Sequence, residues 1–240
     1  MWKKCGTIIF NVLQKFDWNL GVLYMLEKMG DFFDSRLNEY EEHQLTCIEN
    51  AEEFYPFTAS CLPLGHNVNI LDLGCGTGLE LDYYFRINPL AKVTGIDLAP
   101  GMLAALKKKF LDKDVTLIQG SYFDISLGED NYDAAVSVES LHHFIKSEKT
   151  GLYGKVYKAL KSDGYFILTD YFASSEEEEI LYRNELNRLK LQQGITDNEF
   201  YHYDTPLTVA HEIQALQEAG FPTVEILERW GETYTLKAGK

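Results

Sequence analysis

Asn69-Ile70-Leu71-Asp72-Leu73-Gly74-Cys75-Gly76-Thr77-Gly78 is the stretch on which the reading of the fold turns. An apolar run holding one acid, Asp72, passes straight into glycines at alternate positions, Gly74, Gly76 and Gly78. A buried strand, a tight turn and a helix start are expected, the missing side chains letting a ligand lie against bare backbone. Glycine-rich strand-to-helix turns of this kind mark nucleotide-type cofactor sites in open α/β sheets. The dinucleotide fingerprint G-x-G-x-x-G is not met, because position 79 is leucine and the third glycine arrives one residue early. The acid ahead of the first glycine is a second departure, since a carboxylate repels a pyrophosphate.

A phosphate-free cationic ligand accommodates both departures. S-adenosylmethionine carries a sulfonium and an ammonium group, and charge-assisted hydrogen bonds to an acid beside the turn are strong ones. Leu71 to Gly78 closely resembles the first motif of the class I S-adenosylmethionine-dependent methyltransferases. On this motif alone, a tight turn in some other α/β protein stays open.

Downstream, Lys92-Val93-Thr94-Gly95-Ile96-Asp97 reads as a second strand ending in an acid. Asp97 lies 19 residues past Gly78, near the ~20-residue interval that sets an acid against a ribose diol. Pro100 opens a helix whose buried stripe is Met102, Leu103, Leu106 and Phe110. The resemblance implies that Asp97 binds the ribose and that Leu98 and Met102 border the adenine. A third strand, Val115 to Gln119, runs into Gly120-Ser121-Tyr122-Phe123-Asp124. Ser121 stands where many family members have an acid, so recognition of the adenine amino group does not carry over. Tyr122 or Phe123 is a candidate to stack on the ring, or either belongs to the core.

The fourth strand, Asp133 to Val138, leads into Glu139-Ser140-Leu141-His142-His143-Phe144. Ligands in such sheets sit beyond the carboxyl ends of the strands, so this loop is expected to face the reacting group. It resembles the corresponding loop of the methyltransferases of ubiquinone and menaquinone biosynthesis. His142 is the candidate catalytic base, or a shaper of the pocket, and His143 is read as structural. Glu139 is a candidate for the cofactor's methionine end, or an exposed acid.

A fifth strand is expected over Gly164 to Asp170, after a helix bearing Leu152, Val156 and Leu160 and a turn at Lys161 to Gly164. Thr223 to Arg229 and Glu232 to Ala238 flank Trp230-Gly231 as a closing hairpin. The fold class is α/β: a doubly wound, mostly parallel sheet, with helical additions at the start and late in the chain. The resemblance implies the family's seven strands, the last pair antiparallel. Residues 1–64 are expected to form an N-terminal helical extension and lid, and residues 65–240 the cofactor-binding domain. A helical insertion spans about 174–220, its helices carrying Tyr182, Leu186 and Leu189, then Val209, Ile213 and Leu216 behind a Thr205-Pro206 cap. Similar methyltransferases use such N-terminal helices as a lid whose tyrosine reaches the methionine carboxylate; Tyr40 is the candidate here. Phe200 to Tyr203 either wall the acceptor pocket or form a packed loop.

The formal net charge of −15 argues against nucleic acid and anionic membrane as partners, since phosphate binding relies on lysine and arginine. Cys5, Cys47, Cys61 and Cys75 show no C-x-x-C spacing, so neither zinc knuckle nor disulfide framework is expected, and a cytoplasmic location is. The Glu176 to Glu179 run suits a helix N-terminus, and no metal site is expected. Ile9, Leu13, Phe16, Leu20 and Leu23 make an amphipathic stripe in the first thirty residues. It is too polar to span a bilayer and, interrupted by Asp17, is no signal peptide. Packing on its own domain, a homodimer contact and weak membrane association are its three readings. The resemblance begins near Gly30, which makes Met29 an alternative start.

Function follows as an expectation: methyl transfer from S-adenosylmethionine to a small-molecule acceptor, leaving S-adenosylhomocysteine. One rival is a protein of the same fold that builds a carboxylated cofactor derivative, for which an arginine at the methyl site would be diagnostic, Arg183 and Arg188 being the candidates. The other is a catalytically silent binding module.

Overall fold

The computed structural model describes residues 25–240. The stripe of Ile9, Leu13, Phe16, Leu20 and Leu23 lies outside them. In chain order the elements are α1 (Met29–Cys47), α2 (Ala51–Ser60), β1 (Asn69–Leu73), α3 (Leu79–Ile87), β2 (Lys92–Asp97), α4 (Pro100–Lys109), β3 (Asp114–Gln119) and β4 (Tyr132–Val138). A 3-10 turn, Leu141–His143, then leads to α5 (Lys146–Ala159), β5 (Leu160–Tyr171), α6 (Glu176–Gln192), α7 (Val209–Glu218), β6 (Thr223–Trp230) and β7 (Thr233–Gly239).

The strands form one seven-stranded sheet in the order β3-β2-β1-β4-β5-β7-β6. The first five are parallel and β7 pairs antiparallel with both β5 and β6. Continuous apolar runs suit strands covered on both faces. Ile70 packs with Phe54, Leu81 and Leu106 on one side, while Leu71 packs with Leu152, Val156 and Leu216 on the other. The chain winds outward in opposite directions from β1 and β4, so a crevice opens at their carboxyl ends.

Two local expectations are corrected. Leu160 does not complete α5 but starts β5, and the turn expected over residues 161–164 lies inside that strand. The ladder slips there, pairing Tyr132 with Leu160 and Ala134 with Tyr165, so the intervening residues bulge out of register. The cap of α7 is Thr208 rather than Thr205: its side chain accepts from His211 N–H at 3.3 Å. Thr205 instead donates its N–H to the His142 carbonyl at 2.7 Å. The glutamates at the start of α6 sit in its first turn behind a Ser175 cap, as the helix dipole favours. Among the described residues no helix is long and apolar enough to cross a membrane.

Candidate functional site

The turn after β1 is built by its glycines. Gly74 has φ +74°, and a Cβ there would collide with Ser140 Oγ. Gly78 has φ +73°, and a Cβ there would stand 2.9 Å from the Phe110 ring. Any larger residue at either position meets both a left-handed backbone and a collision. Gly74 and Cys75 donate their N–H groups to the Ile96 carbonyl at 2.9 and 3.2 Å, which staples the turn to β2. Gly76 N–H donates to Asp97 Oδ2 at 2.9 Å and Ala99 N–H to Oδ1 at 2.8 Å. A carboxylate has further acceptor sites beyond these two bonds, so Asp97 keeps capacity for a ligand. Burial raises its pKa despite both donors.

Beyond this turn lies a cleft whose empty space, its open mouth included, is about 480 Å³. Tyr40, Gly74, Gly76, Asp97, Leu98, Met102, Tyr122 and Glu139 line it, joined by Met29, Phe33, Ser140 and His143. The α1 helix covers it, its Asp34 Oδ1 accepting from the Gly101 N–H at the start of α4 at 2.8 Å. Tyr40 reaches the neighbourhood of Gly76, and burial raises its phenol far above the ordinary range.

The other expected residues lie off the lining. Asp72 is buried beneath the turn, where it faces Glu80; burial raises both carboxyls, and each acts on the other. Asp72 Oδ2, Thr77 Oγ1 and Glu80 Oε1 are buried without a hydrogen-bond partner. Cys75 and Gly78 are the underside of the turn, packed toward Gly95 and toward Phe110. Ser121 Oγ accepts from Phe123 N–H at 3.1 Å, and Phe123 packs against Phe144 and Phe200. His142 stands behind its neighbour, so the roles expected of the two histidines are exchanged in position: His143 is the one on the cavity.

Asp170, at the carboxyl end of β5, explains that exchange. Its Oδ2 accepts from the N–H groups of Leu141 and His142 at 2.8 and 3.0 Å, which fixes the 3-10 turn. Its Oδ1 lies 2.5 Å from His142 Nδ1. Burial alone would lower His142, but the Asp170 carboxylate raises it to about 9, so it carries a proton at neutral pH. Burial and that neighbouring charge lower His143, which is neutral. His143 Nδ1 sits 3.2 Å from Asp204 Oδ1 and 3.3 Å from the Tyr203 carbonyl.

Glu139 has φ +49°, a left-handed conformation uncommon for this residue type. Its Oε1 is buried without a hydrogen-bond partner, and burial pushes its carboxyl up to about 8. Phe200 to Tyr203 stand behind the lining: His202 stacks on Phe32 with centroids 3.4 Å apart and approaches His143 at 4.9 Å.

Asp170 and Asp204 were not anticipated as site residues. Asp170 carried the signal that singled out Asp97, an acid at the tip of a strand. Asp204 lies in the segment between α6 and α7 and reaches the site only through the fold. Lys155 was missed as well: its ammonium donates to the carbonyls of Tyr122, Phe123 and Ile125 at 2.9, 2.7 and 2.7 Å, pinning the loop after β3.

Known proteins share this arrangement. Residues 71–168 match the family described as a methyltransferase domain. A malonyl-[acyl-carrier protein] O-methyltransferase from Priestia megaterium is 34% identical over 110 residues, 43% of this chain and 37% of that protein. A carboxy-S-adenosyl-L-methionine synthase from Nautilia profundicola is 25% identical over 235 residues, 89% of this chain and 93% of that protein. The chain spans 37% to 57% of the length of the first curated relatives it matches. A crystal structure of a candidate O-methyltransferase from Nostoc punctiforme superposes with TM-score 0.67 at 19% identity, covering 92% of this chain and 64% of that one. With the glycine turn at the switch point, the acid at the tip of β2 and the antiparallel closing hairpin all in place, the chain resembles the class I S-adenosylmethionine-dependent methyltransferases, and its residues 71–168 match a methyltransferase domain.

Proposed function

We infer that this protein transfers the methyl group of S-adenosylmethionine to a small-molecule acceptor. The observation that carries this reading is the pair of carboxyls on one cavity, Asp97 tied to the glycine turn and Glu139 with a buried, unpartnered oxygen. An unpartnered buried carboxylate is costly unless a cation or donor meets it, and this cofactor brings an ammonium and a sulfonium. The bare backbone at Gly74 and Gly76 fits the same ligand, with Asp97 on the ribose, Leu98, Met102 and Tyr122 around the adenine, and Tyr40 over the methionine end. Asp72 acts from beneath, through Glu80 and the turn, rather than by contact. Of the described residues, 25–64 serve as the lid and 65–240 as the cofactor domain.

The sulfonium supplies a methyl group that is already activated. What this chain adds is alignment and exclusion of water: α1 closes the cavity, and Phe33 and Tyr122 give it apolar walls. His143 faces the cavity, and its imidazole borders the place where an acceptor would lie. The acidic balance of the chain supports an acceptor other than nucleic acid.

The relative that makes carboxy-S-adenosylmethionine gives the second reading its weight. That chemistry needs a cation for the added carboxylate. Among the described residues no arginine lines the cavity; Arg183 and Arg188 lie on α6, and Arg188 pairs with Glu185 at 2.5 Å. Methyl transfer is therefore favoured. Calorimetry with S-adenosylmethionine and S-adenosylhomocysteine, followed by mass spectrometry of products formed from labelled cofactor and a metabolite pool, tests both readings. Methylated products are expected. A copurified carboxylated cofactor, or binding of NADH with no binding of S-adenosylmethionine, would replace the assignment.

A further inference from the structure

A polar cluster lies at the β4–β5 end of the cavity. His142, His143 and Asp204 each offer one ligand atom, all within 4.8 Å of one another. Asp204 Oδ1 lies 3.2 Å from His143 Nδ1 and 3.8 Å from His142 Nε2. A tetrahedral centre with bonds of about 2.0–2.2 Å to nitrogen and oxygen sets ligand-to-ligand edges of about 3.3–3.5 Å. The two distances to Asp204 straddle that value, and the third edge, between the two imidazole nitrogens, is no longer than 4.8 Å.

The surroundings supply what such a centre needs. His142 is fixed through its other nitrogen by Asp170 at 2.5 Å, the carboxylate–imidazole pairing that orients metal-bound histidines. Asp170 also holds the backbone of the 3-10 turn, so the two imidazoles arrive on a rigid frame. Asp204 comes from the segment between α6 and α7, with the neighbouring Thr205 N–H donated to the His142 carbonyl at 2.7 Å. Glu139 adds a second observation. This residue, whose Oε1 is unpartnered, adjoins the cluster in a group with His142 and Asp170, again within 4.8 Å. Asp170 is satisfied by three backbone N–H groups as well as by His142, which leaves Glu139 as the carboxyl of the cluster with an unpartnered oxygen.

We propose that His142 Nε2, His143 Nδ1 and Asp204 Oδ1 form a three-ligand site for a first-row divalent cation of the zinc class. Two imidazoles and one carboxylate are borderline donors that suit zinc or cobalt, whereas magnesium and calcium take oxygen sets. Three protein ligands leave the fourth position for water or for an oxygen donor of the acceptor. His143 lines the cavity, so that position is within reach of a bound molecule. The site stands apart from the methyl-transfer reading, because metal binding is measured without turnover.

The test uses the full chain, stripped with a chelator and titrated first with Co²⁺ alone in the visible range, then with Zn²⁺ by calorimetry. A single equivalent of cobalt with the intense d–d bands of four-coordination is expected, displaced by zinc. Asp204→Asn and His143→Gln should each weaken zinc by roughly tenfold or more, by analogy with the loss when a supporting residue is removed. His211→Gln, whose ring pairs with Glu179 elsewhere, should leave the titration unchanged. Failure of the unaltered chain to bind either metal overturns the proposal. So does binding that persists undiminished in the Asp204→Asn/His143→Gln double variant. The unaltered protein is decisive by itself, so a misfolded variant cannot protect the idea.

Discussion

The two ends of the cavity are made of different material. At the β1–β2 end the ligand surface is backbone: glycines without side chains, N–H groups stapled to Ile96, and Asp97 clamped by two amide donors. At the β4–β5 end it is side chain: Glu139, His143, and behind them His142, Asp170 and Asp204. A backbone site is fixed by where glycine is tolerated and serves one ligand. A side-chain site is set by charge, and a few substitutions re-aim it. One end can therefore stay constant across a family while the other changes its acceptor.

The sharpest way to break this contrast is Gly74→Ala. The added Cβ collides with Ser140 Oγ, and φ there is +74°. Strain and overpacking together should cost about 2–4 kcal/mol, read as a fall in Tm with loss of cofactor binding. A Gly74→Ala variant that keeps both its Tm and its cofactor affinity would show that the turn is not held by its backbone. Next comes Asp97→Asn, which keeps the shape and removes the charge. With hydrogen bonds to charged groups contributing about 1.5–3 kcal/mol, S-adenosylmethionine affinity should fall roughly tenfold to a hundredfold while the circular dichroism spectrum is retained.

At the other end the expected effects depend on pH. His142 is raised from 6.5 to about 9 in the folded state. Its stabilisation is present below about pH 6.5 and is lost as pH rises through 9. Glu139, raised from 4.5 to about 8, makes the folded state hold its proton longer, so it too lowers stability as pH rises from 4.5 to 8. Between pH 8 and 9 the histidine remains, and Asp170→Asn should flatten the Tm profile in that window. An unchanged slope there would dissociate His142 from Asp170. Glu139 gives a smaller signal. At pH 7 cofactor binding should release a proton as its carboxyl ionises against the cationic ligand, seen as a dependence of binding enthalpy on buffer ionisation. Glu139→Gln should abolish that release. Lys155→Met is the mildest change, expected to loosen the three carbonyls of the β3 loop and weaken cofactor binding by about two- to fivefold.

The same contrast explains what the sequence disclosed. Gly74 to Gly78 and Asp97 are legible because backbone demands leave a local trace: positive φ needs glycine, and a strand tip needs an acid at a set interval. Tyr40 was found through resemblance, and it does line the cavity beside the turn. The sheet was legible too, apart from the bulge at residues 161–164, where a turn-like composition was absorbed into β5 by pairing with β4. Adjacent histidines carry no information about which one turns inward. That choice is made by Asp170, which draws His142 away from the cavity. Asp204 left no trace at all, because its role arises from tertiary placement alone.

Cys75 gives the turn a practical property. It is buried, its sulfur fills the space beside Gly95, and burial pushes its thiol well above the usual range. A thiol held protonated and out of reach is a poor nucleophile toward alkylating agents and peroxides. Cys47 and Cys61 are only partly buried. In a Cys5→Ser variant, maleimide dyes should therefore report on the ends of α1 and α2 while the glycine turn stays chemically silent. A dye at Cys47 would thereby label α1 without touching the turn beside the cavity.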